Sequence, residues 1–254
     1  MTHDMVSNEN DAGLTKRRFS SQDSDKPVHF RDRDRFRTFG RAKGRPLSPA
    51  QTVMMEESFP SLRWDVENGI EVLHNLTPIT PIRLEIGFGG AEHLLHQARN
   101  NPDVHFLGAE PFLNGVVKAV QGCVDEGLLN ISLHHGDVRD VLKALPDACL
   151  DKVFVLFPDP WRKTRHHKRR LINPEFLGDI HRVLKPGHEF RFASDIIHYV
   201  DWTITRTHRH GGFAWPANNM GDWRTPPQDW CPTRYEAKAK REGRECHYFT
   251  FIRR

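Results

Sequence analysis

The 254-residue sequence contains no apolar run of the ~18–20 residues that a membrane-spanning helix requires. Its first residues, MTHDMVSNENDAG, carry no hydrophobic stretch of the kind that directs export. A cytoplasmic protein with no membrane partner is therefore expected. Cysteine is scarce: Cys123, Cys149, Cys231 and Cys246 stand far apart and form no C-x-x-C pair, which argues against a disulfide framework or a zinc ribbon. Ordinary reduced thiols and no bound metal are expected. Internal repeats are absent, and so is any low-complexity tract beyond the N-terminal tail. The charge excess is small, 37 Lys and Arg against 33 Asp and Glu, with 16 histidines. Such a balance permits a polyanionic partner without requiring one, so the placement of the cations matters more than their total.

What is present divides the chain into three parts. Residues 1–30 are polar and lack any apolar period, so they cannot bury enough surface to offset ordering, and a disordered tail is expected. Residues 31–76 begin as RDRDRFRTFGRAKGRPLS, where seven Lys or Arg alternate with Phe36 and Phe39. Two readings stay open for that run, a solvated charge stretch and an RNA-contacting arm. A short helix and connector follow, with Met54, Met55, Phe59, Leu62 and Trp64 as anchors. Residues 77–254 form the main domain. There, apolar runs of strand length at 82–87, 104–110, 130–135, 150–157 and 188–194 alternate with helical stretches at 91–101, 112–127, 138–145, 173–184 and 196–208. That alternation predicts an α/β domain of parallel strands joined by crossover helices. CHYFTFI at 246–252 alternates with period two, which fits a late antiparallel strand with one wetter face.

In an open parallel sheet, ligands bind beyond the C-terminal strand ends where the strand order reverses. The first strand runs into Glu85-Ile86-Gly87-Phe88-Gly89-Gly90-Ala91, a turn in which glycine lets the backbone approach a ligand closely. Glu110 closes the second strand about 20 residues further on, where an acid binds ribose hydroxyls in dinucleotide folds. Asp137 follows the third strand, placed to accept from an adenine amino group. Each of these acids can also be a solvated strand-end carboxylate, and a glycine turn alone is weak. The third glycine of a full G-x-G-x-x-G is replaced by Glu92, an acid that repels a pyrophosphate. With Glu85 just before the turn, these surroundings favour a cationic sulfonium, hence S-adenosylmethionine over a dinucleotide.

After the fourth strand comes Phe157-Pro158-Asp159-Pro160-Trp161, in which two prolines stiffen the turn that presents Asp159. Arg162, Lys163, Thr164, Arg165, His166, His167, Lys168, Arg169 and Arg170 follow without an acid. So dense a run of cations is self-repelling unless a polyanion opposes it.

The segment FPDPWRKTRHHKRR closely resembles the signature of bacterial tRNA (guanine-N7-)-methyltransferases, as do LEIGFGG at 84–90, Glu110, Asp137 and Ala193-Ser194-Asp195. Pro232-Thr233-Arg234-Tyr235-Glu236, followed by Lys238, Lys240 and Arg241, resembles that family's C-terminal substrate motif. The resemblance runs from about Phe36 to Arg254. It implies a Rossmann-like class I methyltransferase fold, a seven-stranded mostly parallel sheet with helices on both faces. It also implies S-adenosylmethionine as donor and the variable-loop guanine of tRNA, position 46, as acceptor. Cofactor contacts are then expected from Glu85, Gly87, Gly89, Glu110, Asp137 and Asp159, with Asp159 also catalytic. Substrate contacts are expected from Lys163, Arg165, His166, His167, Lys168, Arg169, Arg170, Asp195, Thr233, Arg234, Tyr235 and Glu236, in a monomer or weak homodimer. Gly90-Ala91, Ser194 and Tyr235 are mild departures from the family pattern.

Two rivals share these features. Asp159-Pro160-Trp161 also looks like the loop of amine methyltransferases, although only one proline follows the acid. A degenerate cofactor fold that merely grips RNA is the other, yet such a binder gains nothing from the strand-end acids.

Overall fold

The computed structural model describes residues 44–67, 73 and 80–254. The expected disordered tail at 1–30 and most of the basic arm lie outside the described residues. The first helix, α1 (Pro49–Leu62), starts at a capping box in which Ser48 and Gln51 each satisfy the other's backbone N–H. Met54, Met55, Phe59 and buried Leu62 attach it to the sheet domain. Arg63 then bridges Leu133 as a short parallel contact and the Trp64 N–H donates to the Leu133 carbonyl, so this segment lies along a sheet edge.

The domain continues as β1 (Ile82–Ile86), α2 (Glu92–Asn100), β2 (His105–Ala109), α3 (Leu113–Glu126), β3 (Ile131–His134), α4 (Val138–Ala144) and β4 (Leu150–Leu156). A 3-10 turn (Thr164–Arg169), α5 (Pro174–Val183), β5 (Leu184–Ser194), α6 (Ile197–His210), β6 (Phe213–Ala214), α7 (Gly221–Arg224), α8 (Arg234–Arg241) and β7 (His247–Arg253) follow. The seven strands form one sheet in the order β3-β2-β1-β4-β5-β7-β6. β1 to β5 are mutually parallel, and β7 runs antiparallel between β5 and β6. The strand order reverses at β1, between β2 and β4, which places the crevice predicted from the glycine turn.

Alternation along the strands sorts the core into two faces. Ile82, Leu84, Ile86, Val153 and Val155 meet α4, α5 and α6 on one side. Phe106 and Ile131 meet α1, α2 and α3 on the other, where Phe154 and Leu156 also meet Ala239 of α8. Both faces are thus covered, which is why the parallel strands read as near-continuous apolar runs.

Two boundaries differ from expectation. Residues 184–187 belong to β5 rather than to the preceding helix and a loop, because Leu184 pairs with Leu150 before a register shift brings Glu189 opposite Lys152. The short β6, α7 and α8 have no counterpart among the predicted elements. Cys123, Cys149, Cys231 and Cys246 are free, and burial pushes the Cys123 thiol up to about 12 and that of Cys149 to about 11.

Candidate active site

The crevice is built on the turn after β1. Gly87 (φ +69°) and Gly89 (φ +56°) take the left-handed conformation that a side chain resists, and Ala91 (φ +65°) accepts it at the entrance of α2. Among the described residues, nothing beyond the adjacent chain lies within 4 Å of where a Cβ on Gly87 would sit, so that side of the turn is open to a ligand. Glu110, buried at the end of β2, holds the turn from below. One of its oxygens accepts from the Gly89 N–H at 2.8 Å and the other from the Phe112 N–H at 2.9 Å. Burial raises its pKa above the ordinary carboxylate value, and the nearby charges of Asp159 and Glu85 push the same way.

Asp159 comes from the loop after β4. Phe157 (φ +52°) and Trp161 (φ +42°) are both left-handed, so backbone strain brackets Pro158-Asp159-Pro160. The loop is clamped at each end: the Phe157 N–H donates to the Ala193 carbonyl at 2.8 Å, and Arg170 Nε donates to the Pro160 carbonyl at 2.8 Å. Asp159 remains exposed, yet protein atoms crowd its carboxyl enough for desolvation to raise its pKa.

The other expected cofactor acids have protein partners. Glu85, 3% exposed, directs Oε2 to His93 Nδ1 of α2 at 2.7 Å. Its carboxylate therefore sits under the turn, paired within the protein, rather than standing free in the crevice. Asp137 caps α4 through the Arg139 N–H at 3.0 Å, and it also accepts from Arg139 Nε at 2.9 Å.

The basic run does not present one face. Lys163, Arg165 and Lys168 are exposed, whereas His166, His167 and Arg169 are half-buried. The Arg169 guanidinium lies 4.9 Å over the Trp161 ring, and His167 meets Trp202 edge-on at 5.3 Å. Arg170, expected as a substrate contact, is only 2% exposed and lies against the rings of Tyr199 and Trp202. The chain turns inward where the 3-10 turn ends, so Arg170 braces the Asp159 loop instead of facing solvent. Asp195 accepts from Arg244 Nε at 2.6 Å on the wall of a cleft of about 490 Å³ that also includes Arg162, His198 and His247.

The C-terminal motif reaches the same crevice and splits in function. Thr233 caps α8 by accepting from the Glu236 N–H at 3.2 Å. Glu236, 1% exposed, accepts from Trp230 Nε1 at 2.6 Å and Lys240 Nζ at 2.5 Å. These two fasten the helix and do not face outward as substrate contacts would. Arg234 and Tyr235 instead cover the glycine turn: a Cβ on Gly89 would meet the Tyr235 ring at 2.9 Å, and one on Gly90 would strike the Arg234 guanidinium. Arg234 also forms an ion pair with Glu92. The charges of Glu110 and Asp159 act on Tyr235, whose pKa burial raises first.

Sequence reasoning missed His93, Gly115 and Trp230. His93 and Gln97 share a face of α2 four residues apart, a readable spacing with no sign of its partners. Gly115 begins α3 against the turn, with its hydrogen where a Cβ would lie 2.4 Å from the Gly89 carbonyl oxygen.

A left-handed turn open at Gly87, joined to a Glu110 carboxylate that feels the charges of Asp159 and Glu85, fits a cationic sulfonium nucleoside and disfavours a pyrophosphate. Among the described residues no cluster of metal-ligating side chains occurs, and no helix is long and apolar enough to cross a membrane.

Comparison with known proteins agrees. Residues 79–249 match the family model described as "Putative methyltransferase". The tRNA (guanine-N(7)-)-methyltransferase of Agrobacterium fabrum is 48% identical over 221 residues, covering 85% of this chain and 94% of the relative. Those of Roseobacter denitrificans, covering 85% and 95%, and Brucella melitensis, covering 85% and 94%, are 46% and 45% identical. The crystal structure of the 16S rRNA methyltransferase KamB shares the fold at a TM-score of 0.53 and 15% identity, over 74% of this chain and 94% of that one. The chain therefore belongs to the S-adenosylmethionine-dependent methyltransferase family whose bacterial members are named tRNA (guanine-N(7)-)-methyltransferases.

Proposed function

We propose that the protein transfers the methyl group of S-adenosylmethionine to N7 of a guanine in tRNA, position 46 of the variable loop, giving 7-methylguanosine in the cytoplasm. The observation that carries this is the strained, doubly clamped loop presenting Asp159 beside Glu110, with Lys163, Arg165 and Lys168 exposed immediately after it. Gly87, Gly89, Glu110 and Asp137 would hold the donor nucleoside. Asp159 and, from beneath the turn, Glu85 would favour its positive sulfur. When bound, the donor supplies an electrophilic methyl group on a cationic sulfur.

Guanine N7 has an in-plane lone pair and no proton, so no general base is needed and the protein mainly aligns. Orientation of this kind can supply ~7–11 kcal/mol of a barrier. Asp159 accepts from the guanine N1–H and amino group and offsets the charge that develops on the purine, an electrostatic role. A stacked guanine is inaccessible, so the base must leave its stack. Exposed Lys163, Arg165 and Lys168 take the flanking phosphates. Arg234 and Tyr235 bound the crevice from the C-terminal side, and Arg170 keeps the loop in place.

The test is nucleoside analysis of tRNA lacking this modification after incubation with the protein and S-adenosylmethionine. New 7-methylguanosine at the variable loop is expected. A base methylated on an exocyclic amine, or no product, overturns the proposal.

A further inference from the structure

Glu85 and Glu236, 151 residues apart in sequence, are both nearly inaccessible, at 3% and 1% exposure. A continuous set of contacts joins them through half-buried Trp230. Glu85 of β1 holds His93 Nδ1 at 2.7 Å, which places a proton on that nitrogen. The imidazole, 2% exposed, sits between Phe154 of β4, at 4.8 Å between ring centroids, and Trp230, at 5.5 Å. Its second nitrogen, Nε2, is buried and has no hydrogen-bond partner among the described residues. The ring is thus held by the carboxylate on one side and by aromatic surface on the other. Trp230 then donates Nε1–H to Glu236 at 2.6 Å.

One turn along α2 from His93, Gln97 donates to the Asp229 carbonyl at 2.6 Å. Arg191 of β5 binds the Asp229 side chain at 2.6 Å. The segment 229–230 is therefore fixed by a helix face and by the sheet. Three residues later Thr233 begins α8, and the next two residues are those that lie over Gly89 and Gly90. An eight-residue helix has little stability of its own, so these anchors must hold it.

We propose that His93 and Trp230 are positioning residues that set the C-terminal helix over the cofactor turn. His93 satisfies the Glu85 carboxylate, whose isolation would be costly at such burial. Its ring then offers Trp230 a fixed seat. Trp230 transmits that seat to Glu236, and through α8 to Arg234 and Tyr235. The side chains at the mouth of the donor site are thereby placed by groups that never touch the donor. Only the kinetic part of the test rests on the function proposed above.

Full-length protein is compared with His93→Leu, His93→Asn and Trp230→Phe. Three quantities are read: the Kd for S-adenosylhomocysteine, the amide exchange of residues 230–241, and the separate kcat and KM for methylation of tRNA. His93→Leu removes a charge-assisted bond, so Kd and the KM for S-adenosylmethionine should rise about tenfold or more, with α8 exchanging faster. The value of kcat should change far less. His93→Asn, whose Nδ2 takes the place of the imidazole Nδ1 and can donate to Glu85, should recover part of the loss, which a purely space-filling role would not allow. Trp230→Phe keeps the ring seat but removes the bond to Glu236, and should speed exchange in α8 with a smaller rise in Kd. If His93→Leu does not fold, Trp230→Phe decides. Unchanged α8 exchange in Trp230→Phe, or failure of asparagine to restore any of the S-adenosylhomocysteine binding that leucine weakened, overturns the proposal. Absence of guanine methylation in the unmodified protein would instead refute the proposed function, leaving the binding and exchange results to judge this one.

Discussion

Adding one methyl group at Gly115 should disable the donor site while favouring the helix that carries it. Gly115 lies in the first turn of α3, where alanine is better than glycine by ~0.8–1.0 kcal/mol on intrinsic helix propensity. The new Cβ, however, would lie 2.4 Å from the Gly89 carbonyl oxygen and 3.1 Å from Glu110 Cγ. Ordinary contact begins near 3.4 Å, so the carbonyl must retreat by about 1 Å. The obstacle is backbone and cannot rotate away, and Gly89 is the residue whose N–H Glu110 holds. A displacement of ~1 Å in a positioned group can cost on the order of 100-fold. Gly178→Ala in α5 is the control, because nothing lies within 4 Å of its added Cβ. Calorimetric binding of S-adenosylhomocysteine, alongside thermal unfolding, reads both effects. Gly115→Ala should bind roughly 10- to 100-fold more weakly, whereas Gly178→Ala should bind normally with Tm raised by up to ~2–4 °C. Wild-type affinity in Gly115→Ala would refute the claim that α3 packing against the turn shapes the site.

Neutralising Lys163, Arg165 and Lys168 together should weaken tRNA binding and flatten its dependence on salt, by ~0.7–0.9 in log–log slope for each phosphate that is no longer neutralised. Arg170→Met should leave that slope unchanged and lower stability and turnover instead, since Arg170 is buried against Pro160, Tyr199 and Trp202; a reduced slope there would restore it as an RNA contact. His105 is buried beside Ser132, and burial brings its pKa from 6.5 down to about 4. Because the folded state favours the neutral ring, its contribution is intact above pH 6.5 and declines as pH falls toward 4. The total is on the order of 3 kcal/mol. Denaturant unfolding across that range should show the loss, and His105→Gln should remove that share of it; an identical pH profile in the variant would contradict the assignment.

The strands of the parallel sheet were legible because helices cover both faces, leaving runs such as IRLEI and HFLGA almost wholly buried. The pattern of CHYFTFI likewise marked an antiparallel strand, and β7 is one, but His247, Tyr248 and Phe249 are buried in succession, so the expected wetter face is absent there because both faces are covered. β6 has two residues and is too short to show a period. In α8 only Glu236 and Ala239 are buried, so RYEAKAKR reads as a charged stretch. Its Thr233-x-x-Glu236 start is a helix-entry signature as much as a substrate motif, and the side chains serve the helix. The acids at the strand ends could be placed on the rim of the sheet from position alone. Their partners could not, because Asp195 with Arg244 and Glu236 with Trp230 and Lys240 are set by tertiary packing that leaves no local pattern. The basic run shows the same limit: sequence gives its charge, but only the inward turn at Arg170 reveals which cations remain on the surface.

Asp159→Ala offers the most direct measurement, with tRNA affinity and methyl transfer determined on the same preparation. Loss of a preorganised electrostatic group of this kind should lower kcat by about 10²–10³, while the surface cations keep tRNA affinity close to wild type. Full methyl transfer by Asp159→Ala would contradict the role assigned to this carboxylate.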